Sequence, residues 1–277
     1  MTVLAPPTKT NLLGIGISRT NYADCTDYII QCARVRQSCT VAPTPVHGVM
    51  SGYLDPEHGD RLNQFTVVTP DGQPVRWAID WLRQSHETKL PDRVCGPILT
   101  LHLCQRAVEE NLSVFFYGST DAVLEKLQRN LKRLFPNLKI AGAISPPFRS
   151  LTPEEDAAYI DRIRKSGASL VFVGLGCPRQ EKWAFEHRHA LDCPIICIGA
   201  AFDFHSGNLP QAPTWMQNAG LEWCFRLKQE PKRLWQRYLL LNPLYLTLLL
   251  LQSLGLLFQN RGIDRNVVTQ NVQTSNL

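Results

Sequence analysis

The segment Gly174-Leu175-Gly176-Cys177-Pro178-Arg179-Gln180-Glu181-Lys182-Trp183 follows a short apolar run and opens a helical pattern. A proline suited to the first helical position and two glycines before it leave backbone N–H groups free, and the helix dipole adds positive potential. Such a turn favours an anion such as a diphosphate, with Gln180 and Glu181 in the first helical turn at its edge. The same residues also fit an ordinary strand–helix turn with an acid near the dipole, and spacing alone does not separate the two readings. Val68-Thr69-Pro70-Asp71-Gly72 ends a second apolar run. Pro-Asp-Gly is a common turn, while an aspartate at a strand end is also a candidate general base. Val41-Ala42-Pro43-Thr44-Pro45-Val46-His47 closes a third run. There Thr44 can hydrogen-bond a sugar or phosphate, and His47 is either a second base or a helix-start histidine.

Metal chemistry has weak support in the sequence. His187, His189, Cys193 and Cys197 match no common zinc spacing, and Cys193 and Cys197 bracket a buried strand pattern. No Asp-x-Asp occurs, which counts against a carboxylate-clamped metal at a nucleotide-sugar site. We expect no metal site. Cys25, Cys32 and Cys39 read as small apolar fillers of a helix face.

The elements that position these residues alternate. Asn11–Ile17, Thr40–Pro43, Ser113–Tyr117, Leu138–Ala141, Leu170–Val173 and Pro194–Ile198 read as strands. Tyr22–Gln37, Asp121–Leu134, Pro153–Lys165 and Pro178–Ala190 have helical spacing. Apolar runs without polar alternation suit strands covered on both faces. The expected fold is α/β: a Rossmann-like parallel sheet with helices on both faces. Ligands of such sheets bind beyond the carboxyl ends of the strands. Gly118, Gly142, Gly174 and Gly199 each follow a predicted strand, and Gly118, Gly174, Gly176 and Gly199 point to one shared rim. Gly14-Ile15-Gly16 lacks the third glycine of a dinucleotide fingerprint, because Arg19 stands there, which argues against a nicotinamide dehydrogenase.

The 277 residues are 44% hydrophobic and 19% charged, enough to bury a core and inconsistent with a disordered chain. A net charge of +5 is too mild to indicate nucleic acid. Nine cysteines, an odd number with no Cys-x-x-Cys, together with an N-terminus lacking a basic-then-apolar leader pattern, point to a reducing cytosol and free thiols. Met1–Thr10 reads as a short frayed arm.

Composition changes near residue 213. Residues 1–212 read as the α/β domain, 213–260 as a helical appendage, and 261–277 as a loose polar tail. The appendage carries Arg226, Lys228, Lys232, Arg233 and Arg237, then an uncharged stretch from Tyr238 to Asn260. That stretch exceeds the roughly 20 residues of a membrane span, but Asn242-Pro243 interrupts it. An arm on an anionic membrane surface is the preferred reading; a buried C-terminal helix, an oligomer contact and a single span are the others.

Taken together, TPDGQPVRWA (69–78), RVCGPIL (93–99), VFFYGS (114–119), GLGCPRQEKW (174–183) and the long block from Ile198 to Tyr238 resemble the WecG/TagA/CpsF glycosyltransferase family. The resemblance spans Asn11 to Tyr238. It implies a cytosolic enzyme on the inner face of the plasma membrane. Such an enzyme moves a hexose or N-acetylhexosamine, with inversion, from a UDP-sugar to a polyprenyl-diphosphate-linked sugar in cell-surface polysaccharide assembly. No cofactor and no metal are implied. Asp71 matches the family's proposed catalytic base, Thr44 its early strand-end threonine, and Arg93 the arginine preceding its glycine, here Gly96. Gln180 matches the glutamine of Pro-Lys/Arg-Gln-Glu, and Asp203 the aspartate of Phe-Asp-Phe. Arg226, Arg233 and Arg237 match basic appendage positions implied to contact the lipid diphosphate.

Two positions depart from the pattern. Val46 replaces the usual Asn, where His47 offers a substitute for the lost polar group, and Gln211 replaces the Arg of Arg-Ala-Pro. Two other readings compete: a catalytically silent nucleotide-binding module docked to a membrane assembly, and a Rossmann-type oxidoreductase. An exposed apolar face also allows a homo-oligomer.

Overall fold

Side-chain alternation along the strands builds the core. In a computed structural model that describes residues 4–257, eight strands and thirteen helices are assigned among the described residues. Lys9–Leu12 (β1) and Ile15–Ser18 (β2) form a separate antiparallel hairpin. Thr40–Thr44 (β3), Val67–Pro70 (β4), Ser113–Gly118 (β5), Lys139–Ile144 (β6), Leu170–Gly174 (β7) and Ile195–Cys197 (β8) form a six-stranded sheet in the order β4-β3-β8-β7-β5-β6. Every pairing in it is parallel. The expected Rossmann-like parallel sheet is therefore present.

Successive side chains leave a strand on opposite faces. Val41, Val67, Val114, Phe116, Leu170, Phe172 and Ile196 enter one core. It is closed by Tyr22–Arg34 (α1), Gly96–Glu109 (α5), Asp121–Leu134 (α6) and Gly199–Ser206 (α9). Ala42, Val68, Phe115, Tyr117, Val171, Val173 and Ile195 enter the other. That side is covered by the hairpin and by Val46–Leu54 (α2), Pro56–Asn63 (α3), Gln73–Trp81 (α4), Pro153–Lys165 (α7) and Arg179–His187 (α8).

Several sequence expectations need correction. Asn11–Ile17 is not one strand of the parallel sheet. Leu13 and Gly14 both have positive φ (53° and 84°), the signature of a two-residue hairpin turn, and the Gly14 N–H is held by the Asn11 side chain at 2.8 Å. The frayed arm is also not free: the Leu4 N–H donates to Gln31 Oε1 at 3.0 Å, and the chain is in β1 by Lys9. Residues 1–3 lie outside the described residues. The first helix stops at Arg34 rather than Gln37, because Arg36 turns left-handed (φ 56°) and the Gln37 N–H caps back to the Cys32 carbonyl. Gly142 lies within β6 rather than after it, where a Cβ would come within 2.6 Å of the Phe115 ring. Pro178 occupies the N-cap of α8, one position before the first helical residue.

The appendage comprises Thr214–Asn218 (α10), Glu222–Gln229 (α11), Pro231–Leu239 (α12) and Leu241–Ser253 (α13). α13 folds back onto the main body. Tyr245, Leu248 and Leu249 join the second core, and the Tyr245 hydroxyl donates to the Pro74 carbonyl at 3.1 Å. Gln252 Nε2 donates to the Asn11 carbonyl, and its Oε1 accepts from the Leu13 N–H, both at 2.9 Å. The opposite face exposes Leu246 and Leu250, and Leu254 and Leu256 just beyond the helix are exposed as well. Among the described residues no helix is long and apolar enough to cross a membrane. Phe258–Asn260 and the tail read over 261–277 lie outside the described residues.

Because Tyr245 is 1% exposed and bridges α13 to α4, Tyr245→Ala should lower stability by about 3–5 kcal/mol. Urea unfolding of the full chain measures it, and a loss below about 1 kcal/mol would mean that α13 is only loosely docked.

Candidate functional site

The order of the parallel strands brings the ends of β4, β3, β8, β7 and β5 side by side. Asp71, Thr44, Gly199, Gly174 and Gly118 stand at or just beyond those ends and so follow one another along a single rim. At its left the Asp71 N–H donates to the Thr44 carbonyl at 3.3 Å, tying β4 to β3. The loop before α5 is stitched to the same end: the Val94 N–H donates to the Pro70 carbonyl at 3.0 Å, and Thr69 Oγ1 donates to the Val94 carbonyl at 2.7 Å. These bonds seat Arg93 beside Asp71. Thr44 is buried, and its hydroxyl donates to the Ala42 carbonyl at 2.9 Å, so its lone pairs remain available to a donor. His47 stands in the first turn of α2, just past the end of β3.

Burial pushes the Asp71 carboxyl up to about 6; Glu222 pushes the same way, while Arg93, Arg226 and the Gly96 N–H oppose it. An aspartate so placed is ionised near neutral pH yet basic enough to accept a proton.

The glycine cluster lies along the rest of the rim. Gly118 (φ 123°) pairs with Gly174, and a Cβ on it would lie 2.5 Å from the Gly174 carbonyl oxygen. A Cβ on Gly199 would lie 2.6 Å from Gln180 Oε1. These close approaches require glycine. Gly176 differs: a Cβ there would meet nothing, and its left-handed φ of 79° is the constraint. A side chain there would project into open space.

Gln180 and Glu181 were expected at the edge of the cradle, but both are buried beneath it. Gln180 Oε1 accepts from the Gly199 N–H at 3.0 Å, and Gln180 Nε2 donates to Glu181 Oε1 at 2.8 Å. Gln180 therefore braces the ends of β7 and β8 against each other. Asp203 is half-buried in α9, the helix that starts at Gly199.

The appendage reaches the rim. Arg93 donates from Nη1 to Glu222 Oε2 and from Nη2 to Gln217 Oε1, both at 2.6 Å. The Arg226 guanidinium lies 5.7 Å from the Phe204 ring centre and acts electrostatically on Asp71. Arg233 and Arg237 fall in α12, but their side chains lie outside the described residues. Sequence reading missed Glu222 and Gln217. Glu222 was visible as an acid beside a basic run, yet its partner Arg93 is remote in sequence. It also missed His58, which the fold brings to Cys177 and Glu181. The histidines and cysteines weighed as ligands have other surroundings: His187 pairs with Asp156 at 3.2 Å, and Cys193 and Cys197 are buried. A depression of about 550 Å³ lined by Arg36, Arg164, Lys165 and Asp192 opens at the amino ends of the strands. It is remote from the rim, and Arg36 is already held by Asp192 and the Ala168 carbonyl.

Known proteins match this chain over most of its length. The family model described as "Glycosyl transferase WecG/TagA/CpsF family" matches residues 10–258. A Bacillus subtilis (strain 168) protein named N-acetylglucosaminyldiphosphoundecaprenol N-acetyl-beta-D-mannosaminyltransferase is 30% identical over 196 residues, covering 70% of this chain and 73% of its own. The protein of the same name from Bacillus spizizenii (strain ATCC 23059 / NRRL B-14472 / W23) is 33% identical over 197 residues, covering 71% and 72%.

The raised Asp71 value has a stability consequence. The unfolded chain loses this proton near its ordinary 3.8, while the folded chain keeps it to about 6. Stability is therefore lost as pH rises through that window and stays lost above it. Asp71→Asn should melt above the wild type at pH 8 and equal to it at pH 4. Thermal melting at the two values checks this, and a variant that is less stable at pH 8 would contradict it.

Proposed function

The chain belongs to the WecG/TagA/CpsF family of glycosyltransferases, and from that premise we propose that it moves an N-acetylhexosamine or hexose from a UDP-sugar to a polyprenyl-diphosphate-linked sugar. The relatives' names supply the acceptor class, a lipid-diphosphate-linked N-acetylglucosamine, and N-acetylmannosamine as the model for the transferred sugar. The product belongs to the assembly of a cell-surface polysaccharide. The observation that carries the mechanism is the Asp71 carboxyl, held at a strand end beside Arg93 and Arg226 with its pKa pushed up to about 6.

The step is a single displacement. An acceptor hydroxyl attacks C1 of the donor sugar while Asp71 takes its proton. The bond from C1 to the UDP oxygen breaks, and UDP departs with the electron pair and the anomeric centre inverted. Backbone N–H groups of the Gly174–Gln180 turn meet the charge developing on the diphosphate. Arg93 and Arg226 add positive charge on the other side, where the lipid diphosphate arrives. Arg93 must release Glu222 or share its fork to do so. No metal takes part at the reacting atoms, because the rim supplies arginines and N–H groups where a carboxylate clamp would stand.

The exposed leucines of α13, with the basic residues of the two preceding helices, support docking on the inner face of an anionic plasma membrane. The outward face, rather than the whole helix, makes the contact, since the inward face is core. Each leucine buried in lipid contributes about 1.5–3 kcal/mol. Replacing Leu246, Leu250 and Leu254 by Glu should therefore abolish flotation with anionic vesicles while leaving the melting temperature unchanged. Undiminished flotation would remove this face as the anchor.

The activity is tested by UDP release from a panel of UDP-sugars with a short-chain lipid-diphosphate N-acetylglucosamine, without added magnesium. One donor should give acceptor-dependent release. Asp71→Asn should lower kcat/KM about 10²- to 10⁴-fold and flatten the rise of rate with pH through about 6. Full activity of a folded Asp71→Asn protein would remove Asp71 as the base. Acceptor-independent UDP binding without release would favour the silent-module reading.

A further inference from the structure

At the glycine turn, side chains from two distant parts of the sequence converge. His58 comes from α3, Cys177 from the turn after β7, and Glu181 from the first turn of α8. A ring nitrogen of His58, Sγ of Cys177 and a carboxylate oxygen of Glu181 all lie within 4.8 Å of one another. Among the described residues this is the one grouping of its kind. His58 is 1% exposed, and neither ring nitrogen has a hydrogen-bond partner. Glu181 is 4% exposed; its Oε1 accepts from Gln180, but its Oε2 makes no hydrogen bond.

Buried polar groups in folded proteins are almost always partnered. Here two buried side chains, one imidazole and one carboxyl, leave ligating atoms unused, and both face a thiol. A divalent cation answers all three groups together: it binds the neutral imidazole, compensates the carboxylate and favours the thiolate.

We propose that His58, Cys177 and Glu181 form a structural site for a borderline-soft divalent cation of the zinc type, which fastens the glycine turn to α3. One nitrogen, one sulfur and one oxygen donor suit zinc and disfavour magnesium or calcium. Tetrahedral zinc with bonds of about 2.0–2.3 Å sets its ligand atoms about 3.3–3.8 Å apart, so binding would draw together three groups whose ligating atoms already lie within 4.8 Å of one another. Three protein ligands leave the fourth position to water, and Cys177 is the partly exposed member of the three. Ligation through Oε2 leaves Glu181 Oε1 to hold Gln180 Nε2, and Gln180 Oε1 to hold the Gly199 N–H. The ion thereby orders the rim from below without touching the reacting atoms. The inference stands apart from the transferase reading, and its readouts do not use activity.

The full-length protein, purified without chelator, is assayed for bound zinc by elemental analysis and for affinity against a chromophoric chelator. We expect about one zinc per chain. Cys177→Ser, a near-isosteric change at a half-buried position that should leave the fold intact, and His58→Gln should each weaken zinc at least about tenfold. Cys224→Ser, at a half-buried thiol outside the cluster, should not. Cobalt substitution should give a thiolate charge-transfer band that Cys177→Ser loses. Adding zinc should raise the melting temperature of the wild type but not of Cys177→Ser. Zinc content that is absent in the wild type, or unchanged in Cys177→Ser, would overturn the site and leave His58 and Glu181 as a buried imidazole–carboxyl pair.

Discussion

The parallel alignment of β4, β3, β8 and β7 is the constraint on which the site depends. Parallel strands put all their carboxyl ends at one edge of the sheet, and their order decides which ends are neighbours. Thr44 and Asp71 are neighbours because β3 pairs with β4. Gly199 and Gly174 are neighbours because β8 pairs with β7, and β3 pairing with β8 joins the two halves. The two cores exist to hold that order. Each takes alternate side chains of the same strands, so a slip of one residue in any strand would exchange core contents and misplace the rim together.

Within this frame the rim separates two kinds of chemistry. One half is backbone: glycines whose missing Cβ atoms permit close approach, braced by the Gly199–Gln180–Glu181 chain of hydrogen bonds. The other half is side-chain charge: Asp71, Arg93, Glu222 and Arg226. A nucleoside diphosphate suits the first half because peptide N–H groups bind anions without a counter-charge to be neutralised. A proton acceptor suits the second, where burial and two guanidiniums compete to set the basicity of one carboxyl.

The appendage links site and surface. α11 delivers Glu222 to Arg93, α12 carries the basic run, and α13 returns to the hairpin with one apolar face buried and the other exposed. Arg93, through Glu222 and Gln217, is thus a direct tie between the rim and the appendage.

Most of the fold was legible in the sequence, because strands buried on both faces are uninterrupted apolar runs and their glycine endings mark where the backbone must bend. The strand-end positions of Thr44 and Asp71 and of the glycine turn were legible for the same reason, whereas Arg93 was singled out only through the family resemblance. The family was legible from ordered motifs. The hairpin was not, because Leu13-Gly14 carries a turn signal inside a run that otherwise reads as one strand. Tertiary structure alone decided that Gln180 and Glu181 face inward, that Arg93 grips Glu222, that α13 is half core, and that His58 meets Cys177 and Glu181. Each of these is a contact between residues far apart in sequence, or a choice of which helix face is covered. Local periodicity records that a face is apolar or polar, but only packing determines what it meets.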